Sequence, residues 1–150
     1  MDHHRAIERL IYEYAEMIDA GNFAGVARQL ANCVITSPVD RGGITGADQV
    51  LKLFQQSTRL YPDTGTPKTK HVMTNLIVDI AADGLSAATR SQYTVLQGTA
   101  TLPLQPIVAG RYHDEFRYEN GRWSFARRDI LVDFVGDVSQ HLLVSAKSIQ

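Results

Sequence analysis

IVAGRYHDEFRYENGRWSFARRDILVDF, residues 107–134, is the stretch that decides the fold. It reads as two long strands, 107–119 and 122–134, separated by Glu119-Asn120-Gly121. Asn-Gly is the pair that supplies the left-handed residues of a tight β-hairpin turn. In the first strand, alternation separates Tyr112, Asp114, Phe116 and Tyr118 from Arg111, His113, Glu115 and Arg117. The aromatic row is expected to face inward. That leaves Asp114 among aromatics and His113 in a charged outer row. A buried carboxylate is costly unless it is paired, and burial tends to raise its pKa. Asp114 is therefore a candidate site residue, or else a carboxylate bonded to a loop or a helix N-terminus. The outer row is mixed in charge and suits a polar, symmetric contact between two copies, so a homodimer through that face is expected.

Upstream the pattern repeats. Residues 70–80 and 85–97 read as strands joined by a turn at AADG, 81–84, and TATLPLQP, 99–106, is a longer connection. Strands of this length exceed the usual five or six or so residues, so the sheet should be strongly twisted and curved. The N-terminal part is helical. Ile7, Leu10, Ile11, Tyr14, Met17 and Ile18 form the stripe of an amphipathic helix over 3–20. Gly21 is placed to end it and Asn22 to cap a second helix, from Phe23 to about Ala31. CVITS is a short strand stopped by Pro38, and VDRGGITG, 39–46, reads as a loop. A third helix is expected from Ala47 to Leu60, followed by a loop with two prolines, YPDTGTPKTK. Helices first and antiparallel strands second define an α+β class rather than a doubly wound parallel one.

The 150 residues suit one domain over 1–150, and the net charge of −1 lacks the basic excess of a nucleic-acid binder. No segment approaches the ~18 consecutive apolar residues of a membrane span. MDHHRAIERL has no apolar signal core, so a cytoplasmic location is the default expectation. His3 and His4 are expected to be solvated. The single cysteine, Cys33, excludes an internal disulfide and sits in an apolar run, where an inert thiol is expected. No metal-ligand cluster, phosphate loop or dinucleotide fingerprint is present, so no cofactor is expected.

Three other polar residues stand out. Tyr14 lies on the apolar stripe of the first helix. Asp19 lies near its C-terminal end, where the macrodipole disfavours an acid. His71 opens the strand TKHVMTNLIVDI, 69–80, and shares parity with Met73, Asn75 and Ile77. The opposite row, Val72, Thr74, Leu76, Val78 and Ile80, is more apolar. Strict alternation therefore points His71 away from the core, although a bulge can reverse parity within a strand.

YEYAEMIDAGNFAGVARQLA, KHVMTNLIVDI and GRYHDEFRYENGRWSFARRDI, taken in this order, resemble the SnoaL-like branch of the nuclear transport factor 2-like superfamily over about residues 5–135. The resemblance implies a cone-shaped barrel: three N-terminal helices packed on a strongly curved, mixed, mainly antiparallel sheet that encloses a cavity. It also implies homo-oligomers. Within the superfamily the chain is most similar to the scytalone dehydratase and bile-acid dehydratase group. Those enzymes carry a tyrosine and an aspartate on the first helix and a histidine at the start of a strand, which match Tyr14, Asp19 and His71. The fungal dehydratase has a second active-site histidine; where it would fall, this chain offers Ser91, Gln92 and Tyr93. The bile-acid enzyme's later arginine falls near Val132.

Eliminating water from a β-hydroxy carbonyl needs a base for the α-proton, a donor to the enolate oxygen and an acid for the leaving hydroxyl. An imidazole can take and return a proton near neutral pH, and a carboxylate fixes its tautomer. A phenol polarises a carbonyl without bringing charge into an apolar cavity. His71, Asp19 and Tyr14 supply these groups, with Tyr112, Asp114 and Tyr93 as candidate substrate-binding residues. The expected partner is a small apolar organic molecule, cyclic or polyketide- or steroid-like, and neither nucleic acid nor membrane. The expected activity is a dehydratase. Isomerisation and polyketide cyclisation pass through the same enolate and remain open, as do noncatalytic binding of a small molecule and an interaction role.

Overall fold

The computed structural model describes residues 1–150. Three helices come first: α1 (His3–Asp19), α2 (Phe23–Gln29) and, after two short strands, α3 (Ala47–Ser57). The strands are β1 (Val34–Ser37), β2 (Asp40–Ile44), β3 (Thr69–Ile80), β4 (Ser86–Gln97), β5 (Gln105–Glu119) and β6 (Arg122–Val135). They form one mixed sheet in the order β2-β1-β6-β5-β4-β3. The β3–β4, β4–β5 and β5–β6 pairs are antiparallel, and β1 runs parallel to β6. The sheet is not closed: β2 and β3 are its edges. This is the expected α+β architecture. No helix is long and apolar enough to cross a membrane.

Local chemistry explains where the elements start and stop. Asp2 caps α1 by accepting from the Arg5 N–H at 3.1 Å. Gly21, at φ 71°, takes the left-handed turn after α1, and a Cβ there would run into the Gly65 carbonyl oxygen. Asn22 then caps α2 by accepting from the Gly25 N–H. Asn120 and Gly121 both have positive φ, 52° and 80°, as a twisted two-residue hairpin turn needs. Ile7, Ile11, Tyr14, Ala15 and Ile18 form the buried stripe of α1. Each fully buried isoleucine contributes roughly 1.5–3 kcal/mol. The stripe lies over β3 and β6.

Three expectations change. Residues 40–44 are an edge strand, not a loop; Ile35 pairs with Ile44 and Ser37 with Asp40. Two glycines and no apolar alternation hide it, and an edge strand can be short and polar because one side is never covered. His3 is not free in solvent, because its Nδ1 accepts from the Trp123 indole N–H at 3.0 Å and its ring sits edge-on to Tyr118 and Trp123. The third change concerns parity. In β3 the register slips between Thr74 and Ile77, and Asn75 sits at φ 54°. Thr69, His71 and Met73 face inward before this bulge; Leu76, Val78 and Ile80 do so after it. Both rows are therefore core rows, in turn. In β6 a second slip opposite Glu115 and Phe116 moves the inner row from Trp123 and Phe125 to Arg128.

That slip places an ion pair in the core. Arg128 Nε donates to Asp114 Oδ1 at 2.8 Å and Nη2 to Oδ2 at 2.7 Å, with both side chains fully buried. Burial works against the guanidinium charge, but the Asp114 carboxylate outweighs it and raises Arg128 above its ordinary value. The guanidinium lies 4.1 Å from the ring centroids of both Tyr14 and Tyr112 and 4.8 Å from that of Phe125. Removing one partner of such a pair leaves an uncompensated buried charge, which costs about 3–5 kcal/mol. Asp114→Leu is therefore expected to lower the urea-unfolding free energy by about that much, and the double variant Asp114→Leu, Arg128→Met to recover part of it. Equal loss in the single and double variants would show that the charge is not the cause.

Candidate active site

Asp19 is the last residue of α1, and its side chain reaches the first residues of β3. Its Oδ2 accepts from the His71 backbone N–H at 2.8 Å, and its Oδ1 accepts from the Thr69 hydroxyl at 2.9 Å. The same Oδ1 lies 2.7 Å from His71 Nδ1. The His71 side chain is 8% exposed and that of Asp19 12%. Burial opposes the Asp19 charge, yet the bonds from the His71 ring, its N–H and Thr69 outweigh it, and the carboxyl is held below its ordinary value. A carboxylate only accepts. Nδ1 of His71 therefore carries a proton, and in the neutral ring Nε2 holds the lone pair. The three-point contact answers two oddities of the sequence: an acid at a helix C-terminus, and a histidine at the start of an apolar strand.

His71 lines an apolar cavity of about 140 Å³ beneath the helices. Tyr14, Ile18, Phe54, Tyr93, Val95, Tyr112, Ile130, Val132 and Leu142 contribute to its wall. A broader depression of about 990 Å³ lies outside, where Arg5, Glu8, Arg9, Glu13 and Glu16 line the groove that reaches Asp19 and His71 from the solvent side. The groove is open and charged. The smaller cavity is mostly apolar, with a few polar groups in its lining.

The three tyrosines differ. The Tyr93 hydroxyl donates to the Leu131 carbonyl at 2.9 Å, so this tyrosine offers the cavity a ring face. That ring stacks on Tyr112 with centroids 4.4 Å apart. Gly110 makes the room; a Cβ there would meet the Leu131 carbonyl oxygen and the Tyr93 ring. Tyr14 meets Tyr112 edge-on at 5.8 Å. Burial raises the Tyr14 phenol, while the charge of Arg128 and the neighbouring Tyr112 pull the other way. Burial raises Tyr112 well above its ordinary value. Both phenols therefore stay protonated near neutral pH and can donate. Asp114 does not line the cavity; both its oxygens are taken by Arg128 behind the tyrosine pair. Cys33 is buried, and burial pushes its thiol up to about 12, as suits an inert thiol.

Two residues escaped the sequence reading. Arg128 needed the bulge to turn inward; its signal was the unpaired Asp114, which required a cation. His141 lies in the C-terminal segment after β6 and is 8% exposed in the cavity wall. Burial, then the nearby His71, push its imidazole down to about 4, with Asp19 acting weakly against them. In the sequence it is one of three polar residues, Ser139, Gln140 and His141, between Val138 and Leu142, and nothing sets it apart from them.

Three helices packed on an open six-stranded mixed sheet give this chain the cystatin-like fold also seen in nuclear transport factor 2-like proteins. The chain belongs to the SnoaL-like domain family, whose model matches residues 1–129. A scytalone dehydratase-like protein from Novosphingobium aromaticivorans is similar at 24% identity, covering 89% of this chain and 86% of that one, with a TM-score of 0.68. A nuclear transport factor 2-like protein with a cystatin-like fold from the same organism is similar at 15% identity, with 86% and 80% covered and a TM-score of 0.70. ActVI-ORFA from Streptomyces coelicolor is similar at 14% identity, with 87% and 96% covered and a TM-score of 0.68. At these identities the likeness shows the fold. Comparison with curated protein sequences finds no match.

The depressed basicity of His141 has a consequence for stability. An unfolded histidine titrates near 6.5 or so. As pH falls from there toward about 4, the unfolded chain takes up a proton that folded His141 refuses. The stability present above the unfolded value is therefore lost across that window. His141→Gln is expected to flatten this part of the curve, read as the wild-type-minus-variant difference in urea-unfolding free energy between pH 7 and pH 4.5. A difference independent of pH would contradict the buried, neutral imidazole.

Proposed function

We propose that the chain is an acid–base enzyme that acts through an enolate on a small cyclic carbonyl compound, with dehydration of a β-hydroxy ketone as the leading reaction. One observation carries the reading: a nearly buried His71 whose Nδ1 is bound to Asp19 at 2.7 Å, at the wall of an apolar cavity shared with Tyr14. His71 Nε2 removes the α-proton, and Asp19 stabilises the imidazolium that results. The Tyr14 hydroxyl donates to the oxygen as it becomes an enolate, and its location in an apolar wall strengthens that bond. The enolate then re-forms the carbonyl and expels the β-hydroxyl, which takes the proton from His71 and leaves as water. The products are an enone and water, and His71 ends as it began. Isomerisation returns the same proton to another carbon. Aldol closure uses the same enolate as the nucleophile.

The cavity size narrows the substrate. A cavity of about 150 Å³ takes a benzene ring. The space here, about 140 Å³, suits one reacting ring, with any further ring outside it. A compact polyketide-like or monocyclic compound fits this better than a full steroid.

The reading is tested by α-proton exchange of 2-tetralone in D₂O, followed by NMR. The wild type is expected to accelerate exchange over buffer. His71→Ala is expected to lose about 10²–10⁴ of that rate, the usual contribution of a general acid–base group, with its fold intact. Equal rates for wild type and variant, or no acceleration by the wild type, would refute the reading.

A further inference from the structure

His141 is a polar cavity residue that the chemistry above leaves unused. Its Nδ1 is buried with no hydrogen-bond partner, and the imidazole makes no hydrogen bond within the chain. An unmet buried polar group costs about 1–3 kcal/mol, so its persistence asks for a reason.

The segment that carries it is held in place. The His141 backbone N–H donates to the Val138 carbonyl at 3.0 Å, and its own carbonyl accepts from the Arg59 N–H at 2.8 Å. The Leu143 N–H donates to the Ser57 carbonyl at 3.0 Å, and Thr58 and Leu142 form a β-bridge. The preceding residue is held twice more, since the Gln140 carbonyl accepts from the Tyr61 hydroxyl at 2.5 Å and from Gln97 Nε2 at 3.0 Å. The backbone is thus anchored to the end of α3 and to β4, while the ring stays free of partners. The fixed backbone holds the ring in the cavity wall with its hydrogen-bonding capacity unspent. The ionisable groups whose charges reach the ring are His71 and Asp19.

We infer that His141 binds a second oxygen of the ligand, beyond the one that Tyr14 holds, and so makes this cavity selective for small rings oxygenated at two positions. For the reaction proposed above, on which this inference rests, the second oxygen is the β-hydroxyl, in 1,3 relation to the carbonyl. A neutral imidazole offers one donor and one acceptor, either of which a hydroxyl can meet. His141 is then a specificity-determining residue: it fixes the leaving hydroxyl, while His71 supplies the proton. A site built to hydrogen bond a substrate hydroxyl rejects an analogue that lacks it, because the site's own polar group is left unpaired.

The test is a fluorescence titration with two probes of equal ring size, 1,3-dihydroxynaphthalene and 2-naphthol. The wild type is expected to bind the dihydroxy compound at least about tenfold more tightly, as one satisfied buried hydrogen bond implies. His141→Phe should abolish the preference, and His141→Gln, which keeps a donor and an acceptor, should retain part of it. Unfolding midpoints near that of the wild type are expected for both variants and check that they are folded. The ¹⁵N signals of the His141 ring should move with the dihydroxy probe and not with 2-naphthol. No preference in the wild type, a preference that survives in His141→Phe, or failure of both probes to bind would overturn the inference. The catalytic reading fails separately. A wild-type protein that is selective but does not exchange 2-tetralone would refute the enolate chemistry and leave the role of His141 standing.

Discussion

The buried pair of Asp114 and Arg128 is the constraint around which the cavity is arranged. It joins adjacent strands, β5 and β6, by two short hydrogen bonds from which water is excluded. The guanidinium then serves as a platform for Tyr14 from α1 and Tyr112 from β5, each ring centred 4.1 Å away. The pair therefore fixes the distance between helix and sheet where the cavity begins. It also places positive charge near the phenol proposed to hold the enolate oxygen. A hydrophobic pair of the same volume would pack as well. It would not favour developing negative charge on the Tyr14 side of the cavity.

The second fixed point is where the end of α1 meets the start of β3. Asp19 orients His71 through the ring and through the backbone at once. That double hold sets the tautomer and limits rotation of the ring, so little reorganisation is needed when a proton moves. Two fixed groups in an apolar wall, one basic nitrogen and one phenol donor, are what a ketone needs in order to enolise. His141 adds a third polar point from a segment outside the sheet.

Much of this was legible in the chain. The Asn-Gly turn, the two hairpins and the helical stripe announced the α+β order, and the aromatic row of β5 faces inward as alternation requires. What alternation could not show were the two bulges. Asn75, at positive φ, lets His71 and Ile80 face the same side of β3 although their parity differs. The slip near Ala126 turns Arg128 inward instead of Arg127. Strand β2 was hidden because an edge strand bearing Asp40, Arg41 and two glycines carries no hydrophobic signal. Asp114 was rightly read as buried, but its partner was an arginine on the neighbouring strand rather than a loop or a helix end. His141 was invisible for another reason: nothing local says that a C-terminal segment folds back over the cavity.

The central claim is that His71 serves the apolar cavity and not the charged groove outside it. A crystal structure of the protein with 2-naphthol, a planar enolate mimic, tests this most directly. The account predicts the ring inside the cavity against Tyr14 and Tyr112, its oxygen within about 2.6–3.2 Å of the Tyr14 hydroxyl, and a ring carbon facing His71 Nε2. A ligand lying in the groove between α1 and β3, with Tyr14 untouched and the cavity closed, would contradict it.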